Sequence, residues 1–269
     1  MIVVKIGGSV LSDKDKKYDF SKENLRAVAK ELYQYWKESN TNNNYANNNY
    51  DKFILVIGAG SVGHSMAMDF ALREKNDPMK NALCSSKYDK YFDSIREVLI
   101  EEGLPIASIR TSNLLYADNG KLEGGIKILK TIVKNGMIPM LSADFCPDTK
   151  KGITLASADD IAEFIARKTN AKRVIMVIDT DVHDSNGKTI KTISNTDILV
   201  NAKKKRFDIS GGIKKKVRVL LRLSDHTESV IVNGLKPGEL YKALKKERVG
   251  TIIPVKSKQF SDMRDGSVV

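Results

Sequence analysis

The chain has only two cysteines, Cys84 and Cys146, far apart and without CxxC spacing. Neither a disulfide framework nor a zinc site follows from them, and buried, inert thiols are the expectation. Long apolar runs are missing as well: the strongest, such as residues 174–178 (VIMVI), are far too short to cross a bilayer. The first residues, MIVVKIGGSV, lack the basic flank, long apolar segment and small-residue cleavage site of a secretory signal. These absences predict a soluble, cytoplasmic protein without a membrane partner. No internal repeat is visible, and 269 residues suffice for one large α/β domain or two tightly joined lobes.

Acidic residues are outnumbered, 33 Asp and Glu against 45 Lys and Arg, which leaves a formal charge of +12 and raises nucleic acid as a partner. The distribution argues otherwise. Basic residues are spread along helical faces, with dense clusters only at 203–206 and 214–216, and no RNP aromatic pattern, KH loop or zinc finger accompanies them. The expectation is no nucleic-acid partner. A positive field equally favours a nucleoside triphosphate and an anionic acceptor.

Apolar periodicity alternates between strand and helix, the pattern of an α/β fold with a mainly parallel sheet covered on both faces. Strands are expected at 1–6 (MIVVKI), 53–57 (FILVI), 106–110, 138–141 (IPML), 174–178, 229–232 and 251–255. Helices are expected at about 21–38 with Ser21 as N-cap, 64–73, 87–102, 126–135, 158–169, through Leu223, and 238–246. Residues 41–51 (TNNNYANNNYD) are a polar low-complexity stretch with no apolar face to bury, read as a surface loop. Met66, Met68 and Phe70 fit either an apolar pocket or ordinary core.

Three glycine turns, each between a strand and a helix, carry the chemical signal, because such turns bring backbone N–H groups close to an anion. The first is KIGGSVLSDK at 5–14, the second GAGSVGH at 58–64, and the third DISGGIKKKV at 208–217, where a helix opens on three lysines. Like charges there are costly unless an anion visits. Taken singly, each turn is also compatible with a plain strand-to-helix connection. The second satisfies GxGxxG and so admits a dinucleotide-binding reading. That reading wants an acidic residue ending the next strand, whereas the sequence following the helix is ALREKNDPMK.

With these motifs quoted, the chain resembles the amino acid kinase superfamily, and within it the isopentenyl phosphate kinases of archaea; fosfomycin kinases are close cousins. KIGGSVLSDK looks like the family's KxGGSxxxxK element, GAGSVGH like its GAGSFGH turn, ASADD like its SGDD, and DISGGIKKK like its DVTGGxxxK. The resemblance implies the amino acid kinase fold, a three-layer αβα sandwich, as a single domain over 1–269. An acceptor-binding lobe would occupy about 1–170 and a nucleotide-binding lobe about 171–269. It implies ATP with Mg²⁺, no dedicated metal ligands on the protein, a small phosphorylated isoprenoid as acceptor, and a homodimer.

Residue by residue, the resemblance implies a catalytic set of Lys5, Lys14, His64, Asp144 and Lys216. Nucleotide binding would fall to Lys5, Gly7, Gly8, Ser9, Gly60, Asp181, Gly212 and Lys216, and acceptor binding to Ala59, Gly60, His64, Ala158 and Asp159. Lys14 would stabilise the moving phosphoryl group, His64 would hydrogen-bond the acceptor's phosphate, and Asp144 would orient the lysines. The chain departs from the family pattern in five places. Ala143 and Ala158 stand where it has glycine, Ile57 where it has histidine, Val62 where it has phenylalanine, and TDVHD at 180–184 where it has TDVDG. Val62 is expected to enlarge the acceptor site modestly. Two functions therefore stay open, an active kinase for isopentenyl phosphate or a related small phosphate or phosphonate, and a catalytically weak relative that binds ATP or phosphate to regulate.

Overall fold

A computed structural model describes residues 1–13, 16–41, 51–69, 77–184, 186–195 and 212–256. In chain order the elements are β1 Ile2–Ile6, α1 Gly8–Leu11, α2 Lys22–Thr41, β2 Phe53–Ile57, α3 Gly60–Asp69, α4 Pro78–Glu101 and β3 Ile106–Ser108. There follow α5 Thr111–Leu114, β4 Leu115–Asp118, β5 Lys121–Gly124, α6 Lys127–Lys134, β6 Ile138–Ser142, β7 Asp144–Asp148, β8 Gly152–Ala156 and α7 Ala158–Thr169. The last are β9 Arg173–Ile178, α8 Gly212–Leu221, β10 Glu228–Asn233, α9 Glu239–Leu244 and β11 Thr251–Ile253.

Seven strands form the main sheet in the order β11-β10-β9-β1-β2-β6-β3, parallel throughout except for the antiparallel edge strand β11. Strands β1, β2, β6 and β9 are buried along their whole length. That is why they read as unbroken apolar runs: a parallel sheet is covered on both faces. On one face Ile2, Val4 and Ile6 pack against α2, α3, α4 and α9; on the other Val3, Val56 and Met176 pack against α7 and α8. The expected αβα sandwich is thus the observed one.

Helix α4 begins well before the expected residue 87, because Asp77 caps it, accepting from the N–H groups of Met79 (2.9 Å) and Lys80 (3.1 Å), and Pro78 supplies the first turn. Ser21 does cap α2, accepting from Asn24 N at 3.2 Å. The small second sheet, ordered β5-β4-β7-β8, was not expected. Its strands are four or five residues long, and β8 is largely exposed or half-buried, so no clean apolar pattern marks them. The 41–51 stretch lies mostly outside the described residues.

Candidate active site

Parallel strands deliver their carboxyl ends to one edge of a sheet, and the crevice there is where α/β folds bind ligands. The turns that follow β1, β2 and β6 line a cavity of about 300 Å³ at that edge. Strand pleating decides what points into it. Lys5 shares its face of β1 with Val3, the face covered by α7, so its side chain meets the start of that helix. There its Nζ lies 2.9 Å from Asp159 Oδ1, while Lys216 Nζ, from the first turns of α8, lies 2.9 Å from Oδ2.

All three groups are nearly inaccessible to water. Burial would push the Asp159 carboxyl up, but the two ammonium groups override it and hold the carboxyl well below the usual carboxylate range. One carboxylate shared by two lysines leaves a net positive charge at the cavity wall, which suits a phosphate. Alongside, Ser157 caps α7 by accepting from Asp160 N at 3.3 Å. Lys215 bridges the Asp160 carboxylate (3.1 Å) and the Ser157 hydroxyl (3.2 Å), and this pair is more than a third exposed. An exposed pair of that kind contributes about 0–1 kcal/mol.

The first two glycine turns are packed backbone against backbone. A Cβ on Gly8 would lie 2.2 Å from Gly60 N, and one on Gly58 would lie 2.5 Å from Gly8 N. Only glycine permits that approach. Ser12 stitches the turns together: its hydroxyl donates to Gly8 O (2.9 Å) and accepts from Ser61 N (2.7 Å). Further along α3, the hydroxyls of Ser61 and Ser65 accept from the N–H groups of Asp19 and Tyr18, both at 3.3 Å, fastening residues 18–19 to the helix that carries His64. The N-terminal ends of α3 and α7 both open on the cavity, where helix dipoles favour an anion.

Lys5, Gly7, Gly8, Ser9, Ala59, Gly60, His64, Asp144, Ala158, Asp159 and Lys216 all line this one cavity. Lys14 lies outside the described residues, as do 208–211. Gly212, at the start of α8 with φ +62°, does not line the cavity, and neither does Asp181. Asp181 lies at a separate small pocket, where Lys236 Nζ (2.6 Å) and Asn233 Nδ2 (3.3 Å) donate to it. The Lys236 contact leads in holding its carboxyl below the ordinary value.

Asp144, expected to orient the lysines, is engaged by backbone N–H groups beside the small sheet. Its oxygens accept from Ser112 N (2.9 Å) and Phe145 N (2.8 Å), with Arg110 Nε 3.5 Å away, because it begins β7 in the small sheet. Asp159, expected to bind acceptor, is the residue that holds Lys5 and Lys216. Val62, expected to enlarge the acceptor site, is buried in the core and absent from the cavity lining. Of the three residues read as pocket or core, Met66 is buried and lines the cavity, Met68 is exposed, and Phe70 lies outside the described residues.

In the altered 180–184 segment, Asp184 Oδ1 accepts from the N–H groups of Asn186 and Lys188, both at 2.9 Å, and His183 forms a β-bridge with Thr189. The aspartate that replaces glycine therefore caps its own turn. Sequence reasoning passed over Ser12, Ser157 and Arg110, matched Asp160 to the family motif without giving it a role, and took Lys215 only as one of the three lysines that open α8. The Ser157-x-x-Asp160 spacing is a capping signal that could have marked two of them; Arg110 carries no local signal at all.

The remaining wall is apolar, formed by Met66, Cys84, Tyr88, Phe145 and Leu155. Burial pushes the Cys84 thiol up to about 11, so it is a small hydrophobe there and not a nucleophile at neutral pH. A cationic end built from lysines and glycine turns thus faces an apolar end, the division a small phosphorylated hydrocarbon needs.

A sequence model of the amino acid kinase family matches residues 1–233. The chain is 27% identical over 264 residues to isopentenyl phosphate kinase of Methanocaldococcus jannaschii, covering 94% of this chain and 98% of that relative. It is 27% identical over 275 residues to isopentenyl phosphate kinase of Methanothermobacter thermautotrophicus, covering 93% and 97%. Among solved structures, one described as isopentenyl phosphate kinase superposes with a TM-score of 0.77 at 24% identity, over 94% of this chain and 99% of that one. An isopentenyl phosphate kinase substrate complex gives 0.71 at 21% identity, over 94% and 100%. These structural likenesses establish the fold. Since the family match runs from β1 through β10 and takes in every strand of the main sheet except the edge strand β11, the chain belongs to the amino acid kinase family.

Proposed function

We propose that this protein transfers the γ-phosphoryl group of ATP to the phosphate of isopentenyl phosphate, giving the diphosphate. The observation that carries the reading is the convergence, on one cavity, of the Lys5–Asp159–Lys216 cluster and His64 with the apolar wall of Met66, Cys84, Tyr88 and Phe145. The relatives named isopentenyl phosphate kinase support it. Acceptor phosphate would sit at Ala59, Gly60 and His64, with the imidazole donating an N–H to one of its oxygens. Gly7, Gly8, Ser9, Lys5 and Lys216 would hold the nucleotide's phosphates, with the residues before 171 serving mainly the acceptor and those after it mainly the nucleotide.

The chemistry is in-line attack by a phosphate oxygen on the γ-phosphorus. No general base is needed, because a phosphate monoester is already ionised at neutral pH. What opposes the reaction is repulsion between anions, and lysines and backbone N–H groups offset it by position and charge. Among the described residues no three His, Cys, Asp or Glu side chains gather into a metal site, and Asp159 is already engaged by two lysines. Mg²⁺ would come as a companion of the nucleotide and supply further charge neutralisation, with Asp144 and Asp160 the lining carboxylates that are not shared between two lysines and so would be the ones to assist it.

The test is a coupled ADP-release assay that compares isopentenyl phosphate with isopentenol, fosfomycin, acetylglutamate and UMP. Turnover is expected with isopentenyl phosphate, falling about a hundredfold in His64→Ala, the loss of one charge-stabilising donor. Silence on every acceptor despite measurable ATP binding would move the assignment to a regulatory binder.

A further inference from the structure

Helices α7 and α8 meet at their first turns beside the cavity, and two consecutive lysines of one face two consecutive aspartates of the other. Lys216 reaches Asp159 at 2.9 Å and Lys215 reaches Asp160 at 3.1 Å. Their surroundings differ. The Lys216 and Asp159 side chains are 11% and 5% exposed, whereas those of Lys215 and Asp160 are 37% and 38% exposed. Lys5 closes on the same buried Asp159 carboxylate, so parting that trio would strand charge away from water.

Lys215 is under no such constraint. Solvent screens its pair with Asp160, its other partner is the neutral Ser157 hydroxyl at 3.2 Å, and all three residues line the cavity. A phosphate oxygen entering beside Ser157 competes for the same ammonium with more negative charge than one carboxylate carries. Lys214, Lys215 and Lys216 also crowd the positive end of α8, an arrangement that an anion seated among them relieves.

We propose that Lys215 is a phosphate-binding residue of this site, passing from Asp160 to an oxygen of the nucleotide's phosphate chain when nucleotide binds. The proposal rests on the reading of the cavity as an ATP site. Asp160 then acts as a tethering competitor that keeps the empty site neutral at its rim, and removing it frees the lysine.

Calorimetric titration of the full chain with adenylyl imidodiphosphate, without added metal, tests this. Lys215→Met is expected to weaken binding about tenfold, which is about 1.4 kcal/mol. Lys215→Arg keeps most of the affinity, and Asp160→Asn tightens binding. Opposite effects from the two halves of one ion pair are what a purely structural bridge does not produce. Equal affinity in Lys215→Met and the unaltered chain, or weakening by Asp160→Asn as well, overturns the proposal and leaves the functional reading standing. No binding by the unaltered chain overturns both. Should Lys215→Met fail to fold by circular dichroism, tightened binding by Asp160→Asn together with retained affinity in Lys215→Arg still supports the proposal, and unchanged affinity in Asp160→Asn sinks it.

Discussion

Asp148, in the small sheet, and Asp159, at the cavity, are both buried carboxylates held well below the usual range against the opposing effect of burial. Their partners are of different kinds. Asp148 accepts from the Thr154 hydroxyl and from the N–H groups of Asn119 (3.2 Å), Gly120 (2.7 Å), Lys150 (2.9 Å) and Lys151 (3.0 Å). It ties together the two turns of the small sheet and its hydrogen-bonding capacity is used up. Asp159 instead holds two ammonium groups that line a cavity and keep an excess of positive charge. A depressed carboxylate is therefore not a sign of function by itself; what matters is whether its partners have charge left over for a ligand.

The sharpest way to break this comparison is Asp159→Asn. It leaves Lys5 and Lys216 repelling each other out of water, so turnover in the ADP-release assay should fall by at least about a hundredfold. Denaturant unfolding should show a loss of about 3–5 kcal/mol, the range for a broken buried ion pair. Gly8→Ala comes next. Its methyl meets Gly60 N, a backbone atom that cannot swing aside, so the two glycine turns must separate. Turnover should drop more than tenfold while far-ultraviolet circular dichroism stays unchanged; retained activity would show that the turns need not touch.

Asp148→Asn is the smallest change and the control for the comparison: the melting temperature falls but kcat and KM stay the same. Its pH dependence has a definite sign. A depressed folded pKa contributes stability that is present above the unfolded value near 3.8 and lost as pH falls through the folded one. The gap in melting temperature between Asp148→Asn and the unaltered chain should accordingly be full at neutral pH and shrink below pH of about 4. A gap that widens on acidification would contradict the assignment.

How much of this was legible beforehand differs between the two regions for a physical reason. The strands of the main sheet are buried on both faces, so 53–57 and 138–141 stand out as apolar runs, and 158–169 shows helical periodicity with Ser157 ahead of it as a cap. The small sheet has short strands with one wet face, and β4 alternates buried and exposed over only four residues. Nothing in so short a pattern distinguishes it from loop. Likewise the glycine turns pointed to an anion because glycine and lysine are themselves the chemistry, whereas Arg110 acquires its place only from the elements it meets.

The sequence by itself determined the layered α/β architecture and the glycine turns, since periodicity and local composition encode both, while it was the family resemblance that singled out Lys5, His64 and Lys216 as candidate site residues. Only the tertiary structure decided which carboxylate serves the lysines. Asp144 and Asp159 are equally acidic on paper, and the choice follows from strand pleating: Lys5 points from β1 toward α7, where Asp159 waits, while Asp144 starts β7 and is engaged by the N–H groups of Ser112 and Phe145. Which ionic partner a buried lysine meets is a long-range fact, settled by how the elements pack and not by any spacing along the chain.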